Sequence, residues 1–293
     1  MNRLAGLFTL FLFVTLMAGI LHQARSSDAS LYLAGQRASE AELRLLQEQQ
    51  MNGFQFAGKF WSGLFSGDFG VTSGNLPISE ILVPAAKLTL ILASAAALLS
   101  LIYGLGLLTL CIKRPLLVHS IEKINFVILG IPVFLIGLFL IWVFSLSFPL
   151  FNPGGTNGIL WWFLPALSLA LRAGPRLFIA AAEFYKREMN KPYQRTMAAM
   201  GYTKHRKYWP FTLKNLSLPV LSFWLVDFAS YLAGAAVVET VFSLPGLGSL
   251  LLSGLFSYDI QLILSVLVVI AIFLFFIGLL QDQLQRQHEQ AQS

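Results

Sequence analysis

The chain has 293 residues, of which 56% are hydrophobic and only 12% charged, and its mean hydropathy is +0.70. An average soluble domain carries about 25% charged residues, so this composition cannot cover a globular surface with polar groups and excludes an ordinary soluble enzyme. The formal net charge of +6 fits basic loops on one side of a membrane better than a nucleic-acid surface. The single cysteine, Cys111, lies inside an apolar block, which excludes a disulfide framework and a thiolate metal cage.

In chain order, six apolar blocks are long enough, at ~1.5 Å per helical residue, to cross a ~30 Å hydrocarbon layer. They are Leu4–Leu21, Leu88–Ile112, Ile124–Phe148, Leu160–Phe184, Leu216–Phe242 and Ile260–Leu280. The first follows Arg3 and precedes small residues near Ala24, as in a signal peptide. Its ~18 apolar residues are long for a signal core and predict a retained helix. The next stretch, residues 22–86, reads as an external segment. A start signal at Ser39–Glu42 and an amphipathic run through Phe65 predict a helix lying on the membrane surface. Residues 185–215 form a basic internal loop, residues 243–259 a Gly/Pro-punctuated external return, and the tail from Gln281 is short and polar.

The expected fold is therefore an all-α polytopic membrane protein with six transmembrane helices. It divides into a first transmembrane helix (1–21), an external segment with an amphipathic helix (22–86), a core with five transmembrane helices (87–282) and a polar cytoplasmic tail (283–293). Lysine and arginine set the orientation. With the N-terminus inside, the inner side carries 13 of them, eight in residues 185–215, and the outer side only Arg25, Arg37, Arg44 and Lys59. Both termini are thus expected in the cytoplasm.

Within the basic loop, Pro192 suits the first turn of a helix, where its missing N–H is not needed. Gly201 suits the left-handed residue just past a helix end, and Thr203 can cap the next helical stretch. A short cytoplasmic helix between spans four and five follows, rimmed by Arg195, Lys204, Arg206 and Lys207. Read alone, this is a positive-inside loop with or without a partner. Pro245-Gly246-Leu247-Gly248 reads as a tight turn returning the chain to the membrane.

Enzymatic chemistry has little to stand on. There is no Gly-x-x-x-x-Gly-Lys-Ser/Thr phosphate loop. His22, His119, His205 and His288 lie in loops or near span ends, whereas an intramembrane serine or zinc protease needs histidine at depth. No catalytic or metal-ligating residue is assigned.

Three segments together carry a resemblance. Gly67-Asp68-Phe69-Gly70, followed by Gly74-Asn75-Leu76-Pro77-Ile78-Ser79-Glu80-Ile81, stands before the second span. Tyr193-Gln194-Arg195-Thr196-Met197-Ala198-Ala199-Met200-Gly201 is followed by Leu218-Pro219. Val238-Glu239-Thr240-Val241-Phe242-Ser243-Leu244-Pro245-Gly246-Leu247-Gly248 is followed by Asp259. Together they resemble the inner-membrane permease subunits of ABC importers for dipeptides, oligopeptides and nickel. The second segment is similar to that family's cytoplasmic coupling loop, the third to its Val-Glu-Thr-Val-Phe-Ser-Trp-Pro-Gly-Leu-Gly stretch. The chain also departs from the pattern. Arg195 stands where the loop's glutamate would be, Leu244 replaces the tryptophan, and Ile179 and Ala182 stand where arginines are usual late in span four.

The resemblance implies a permease subunit working with a second, similar permease, two ATPase subunits holding ATP–Mg, and an external solute-binding protein in the bacterial inner membrane. It implies that Tyr193, Arg195, Thr196, Ala199, Gly201, Lys204, Arg206 and Pro219 belong to the ATPase-coupling loop. Arg172, Arg176, Asp227, Glu239, Pro245, Gly246 and Asp259 are then candidates for the pathway or gate. The rival class is an ion-coupled secondary carrier or channel, which predicts inverted repeats and intramembrane ionisable relays; no such repeat symmetry is visible.

Arg172 and Arg176 are one helical turn apart in span four, and Arg172 and Asp227 fall near mid-bilayer. Asp227 stands where the family usually has glutamine. An ion pair of Asp227 with either arginine is expected. The pair either only braces the helices, or leaves the other arginine free to attract an anion such as a peptide carboxylate.

Overall fold

A computed structural model describes Gly6, Thr9 and residues 11–17, 19–20, 53–72, 76–111, 115–152, 154–156, 158, 160–202 and 212–290. Among the described residues every regular element is helical, and the one β feature is an isolated bridge between Val71 and Pro77. The helices are α1 (Gly53–Phe65), α2 (Ile78–Cys111), α3 (Pro115–Leu129), α4 (Val133–Ile141), α5 (Phe163–Met189), α6 (Pro192–Ala199), α7 (Leu213–Val241), α8 (Leu247–Phe256) and α9 (Ile260–Gln290). Four of them (α2, α5, α7 and α9) are long and apolar enough to cross a membrane, and α3 with α4 makes a fifth candidate if that bent pair is one span.

The chain forms two compact units, Met1–Lys87 with Ser249–Phe275, and Leu88–Gly248 with Phe276–Ser293. In the first, Ala57 and Phe60 of α1 pack with Val14, Ile260, Leu264 and Val268. The apolar face of α1 is therefore covered by its own chain, a partner that amphipathic periodicity alone does not reveal. Ahead of α2 the Gly67–Gly70 segment makes a tight turn. Gly70 N–H donates to Asp68 Oδ1 (2.8 Å), Ile78 N–H donates to the Gly70 carbonyl (3.0 Å), and Gln261 Nε2 donates to the Phe69 carbonyl (3.2 Å).

In the second unit α5 packs against α3, α4 and α7. Its buried positions include Ala166, Ala170, Ala173, Gly174, Ala181 and Ala182, small residues that let helices approach closely. The Tyr103 ring lies against Gly174, and Leu177 lies against Gly104. Leu108, Cys111, Leu177, Phe178, Leu216 and Val220 form the core here, so the lone thiol is a packing residue.

Several boundaries differ from the sequence expectation. The second span begins at Ile78 rather than Leu88, because Pro84 falls in the second turn of α2, where it removes a single bond to the Glu80 carbonyl. The continuous third span, Ile124–Phe148, is corrected: the chain breaks at Gly130–Pro132 and turns by 94°. Pro132, with ψ of 140°, disfavours helical backbone at Ile131 and starts α4 afresh. Beyond α4 the helix widens into a π-helix over Trp142–Ser147. The last helix continues past Leu280 to Gln290, and the external return contains α8, which its Gly/Pro punctuation hid. Leu4, Ala5, Leu7, Phe8, Leu10, Ala18 and Leu21 of the first block and all of Ser39–Glu42 lie outside the described residues, and the first block is not among the candidate spans above.

Candidate functional site

The loop after α5 builds the first cluster. Lys191 is the N-cap of α6 and Pro192 occupies its first turn. At the other end Gly201 has φ +82°, the left-handed conformation that side chains with a Cβ resist. Gly201 N–H donates to the Ala198 carbonyl (3.0 Å) and Tyr202 N–H to the Met197 carbonyl (3.1 Å), a Schellman stop. The helix expected from Pro192 and Gly201 is thus present, with Tyr193, Arg195, Thr196 and Ala199 on it. Lys204, Arg206 and the Thr203 cap lie outside the described residues. Pro219 sits inside α7, beyond the loop.

Sequence reasoning missed what anchors this helix. Glu188, at the end of α5, is buried. Its Oε1 accepts hydrogen bonds from Tyr193 Oη (2.5 Å) and Asn215 Nδ2 (2.8 Å), and its Oε2 faces Lys191 Nζ at 2.6 Å. Gln194 Nε2 donates to Tyr193 Oη (2.8 Å) and to Thr212 Oγ1 (3.2 Å). Burial, and then the Glu188 carboxylate, push the Tyr193 phenol above its ordinary value, which keeps it a donor. One acid thereby ties α6 to the end of α5 and the start of α7. The available signal was a glutamate five residues ahead of a Tyr-Gln pair, too local to announce Asn215.

A second cluster lies within the spans. Arg176 Nη2 is 2.8 Å from Asp227 Oδ1 and also donates to Ser230 Oγ (2.9 Å). The expected ion pair is therefore formed, and by Arg176. Asp227 Oδ2 is buried with no hydrogen-bond donor among the described residues. Arg172 is exposed; it has neither an ion-pair nor a hydrogen-bond partner among them, and its Nη1 lies 4.0 Å from where a Cβ on Gly234 would stand. It is nine residues into α5, roughly 14 Å along the axis at 1.5 Å per residue. An unpartnered charge at that depth costs about 2.5–3.5 kcal/mol on insertion scales.

The remaining candidates hold the turn after α7. Glu239 is fully buried and accepts from Thr89 Oγ1 (2.6 Å), whose oxygen in turn accepts Leu247 N–H (2.8 Å). Gly246 lies so close that a Cβ there would overlap the Glu239 carboxylate, which explains the glycine after Pro245. Asp259 Oδ1 accepts Leu262 N–H (3.1 Å) as the N-cap of α9. Glu239, Pro245, Gly246 and Asp259 thus shape turns and helix starts. No group of three or more His, Cys, Asp or Glu residues poised to hold a metal occurs among the described residues.

Several helices long and apolar enough to cross a membrane, one ion pair between two of them and an anchored short helix between α5 and α7 are the architecture of a multi-pass membrane component. Residues 103–293 match the family of binding-protein-dependent transport system inner membrane components, and the chain belongs to that family. It is similar to the oligopeptide transport system permease protein of Bacillus subtilis, with 27% identity over 92% of this chain and 90% of the relative. It is also similar to the glutathione transport system permease protein of Shigella flexneri, at 26% identity over 97% and 94%. A probable peptide ABC transporter permease protein of Sinorhizobium fredii is 25% identical over 96% and 95%. The chain is a permease subunit of an ATP-driven ABC transporter, and the carrier or channel alternative is not favoured. Family members are membrane components of such systems rather than enzymes, and the inner membrane is their place.

Proposed function

We propose that this chain is one half of a heterodimeric transmembrane domain that imports di- or oligopeptides, driven by two ATPase subunits that hold ATP–Mg and supplied by an external solute-binding protein. The observation that carries this is the anchoring of α6. Glu188 joins it to both α5 and α7, so a push on α6 is delivered to two candidate spans at once. Tyr193, Arg195, Thr196, Ala199 and Gly201 form the surface the ATPases press, and Lys204 and Arg206, outside the described residues, belong to the same coupling loop in sequence. Oligopeptide and peptide permeases among the relatives support peptides as cargo. In this reading the first block, Leu4–Leu21, is a sixth span, both termini are cytoplasmic and α6 faces the cytoplasm.

The test is reconstitution of the full complex in proteoliposomes with labelled tri-alanine. ATP-dependent uptake is expected, and Gly201→Val is expected to remove it, since a β-branched residue at a left-handed position costs about 1–2 kcal/mol and unseats the helix stop. Uptake without ATP, or none at all, overturns the reading. The topology is checked with an impermeant thiol reagent on intact spheroplasts of a Cys111→Ala background. Val71→Cys is expected to react, and Met200→Cys only after the membrane is opened; the reverse order overturns the orientation.

A further inference from the structure

The two arginines of α5 are chemically equivalent in sequence, and the fold makes them unequal. Arg176 is bonded on one nitrogen to both Asp227 and Ser230, and Ser230 Oγ is itself held by the Asp227 carbonyl at 2.7 Å. Arg172, one turn earlier, is within electrostatic reach of Asp227 but bonded to nothing among the described residues, and its side chain is open at the surface of its unit. Two guanidinium groups and one carboxylate leave a local charge of one positive unit. Hydrocarbon is a poor neighbour for such a group, so it faces water, a solute or another charged protein group.

We propose that Arg172 recognises the carboxylate of a peptide in transit, with the Arg176–Asp227 pair as its fixed bracket. This rests on the peptide-import reading and adds the contact that chooses the anion. A guanidinium presents parallel N–H donors that match a carboxylate, the group that every unblocked peptide carries at one end. The bracket also sets the strength. Two free arginines one turn apart would trap a carboxylate, whereas a pathway site must bind firmly enough to admit its solute and weakly enough to release it. By neutralising Arg176, Asp227 leaves one cation for that purpose.

The experiment uses the full complex in proteoliposomes, with Cys111→Ala as background and labelled tri-alanine delivered by the binding protein. Arg172→Cys is expected to lower uptake about tenfold, as for loss of one charge-assisted contact. Aminoethyl methanethiosulfonate, which returns a positive charge to that thiol, is expected to restore most of the uptake. The sulfonatoethyl reagent, which adds a negative charge, is expected not to, and tri-alanine is expected to slow both modifications. Uptake that survives Arg172→Cys, or that both reagents restore equally, overturns the proposal. Failure of Arg172→Cys and Arg172→Gln to assemble, with Arg172→Lys assembling normally, overturns it in favour of an ion pair with a neighbouring subunit. A parent complex that takes up no tri-alanine overturns the import reading instead, before any variant is measured.

Discussion

Glu188 and Asp227 are two buried acids in one compact unit, and they are satisfied very differently. Glu188 receives bonds on both oxygens, from residues before, on and after α6. Asp227 is bonded on one oxygen only, and a second arginine stands near it without joining the pair. A fully bonded carboxylate holds its partners in one arrangement and acts as a joint. A partly bonded one beside a spare cation leaves electrostatic capacity for something that comes and goes. In the proposed reading the contrast separates transmission of motion from contact with cargo, and the two clusters sit at different levels of the same helices: the Glu188 joint at the end of α5 and the start of α7, the Arg176–Asp227 pair midway along both.

The largest expected effect is at the joint. Glu188→Ala leaves Tyr193, Asn215 and Lys191 without their acceptor, and losing hydrogen bonds to a charged group costs ~1.5–3 kcal/mol each. Thermal unfolding of the purified complex should fall by several degrees, and binding-protein-stimulated ATP hydrolysis should be lost. Unchanged stimulation would show that α6 transmits force without this anchor.

A smaller effect, and a more selective one, is expected at the pair. Asp227→Asn should depress transport, and adding Arg176→Gln should restore part of it, with a coupling energy of about 0.5–3 kcal/mol. Adding Arg172→Gln instead should restore nothing. Equal rescue by either arginine would mean that the two share Asp227 and would erase the contrast between the acids.

The smallest effect is expected for Tyr193→Phe, which removes one donor from Glu188 while Asn215 and Lys191 remain. The loss should be about 1 kcal/mol of complex stability, with coupling largely kept. A loss as large as that of Glu188→Ala would make the phenol, rather than the carboxylate, the hub.

Much of the fold was legible because lipid imposes strong rules on sequence. Long apolar blocks announced α2, α5, α7 and α9, and Pro192 and Gly201 announced both ends of α6, since ring geometry and a positive φ are local requirements. The break at Gly130–Pro132 was missed, because hydropathy averaged over the block concealed the residues that cause it. Helix α8 was concealed by the glycines and proline that introduce it.

The sites divide along the same line. By itself the sequence determined that Asp227 would need a cation at its depth, because an isolated charge in hydrocarbon is costly whatever the packing. Which arginine it takes was decided only by the tertiary structure, since Arg172 and Arg176 share one face of α5 and differ in their height against α7, where Ser230 adds a second acceptor for Arg176. The Glu188 joint was likewise a tertiary decision. Its partners come from three stretches that only the return of the chain from α5 through α6 to α7 brings together, and no local periodicity encodes a contact between residues 27 positions apart.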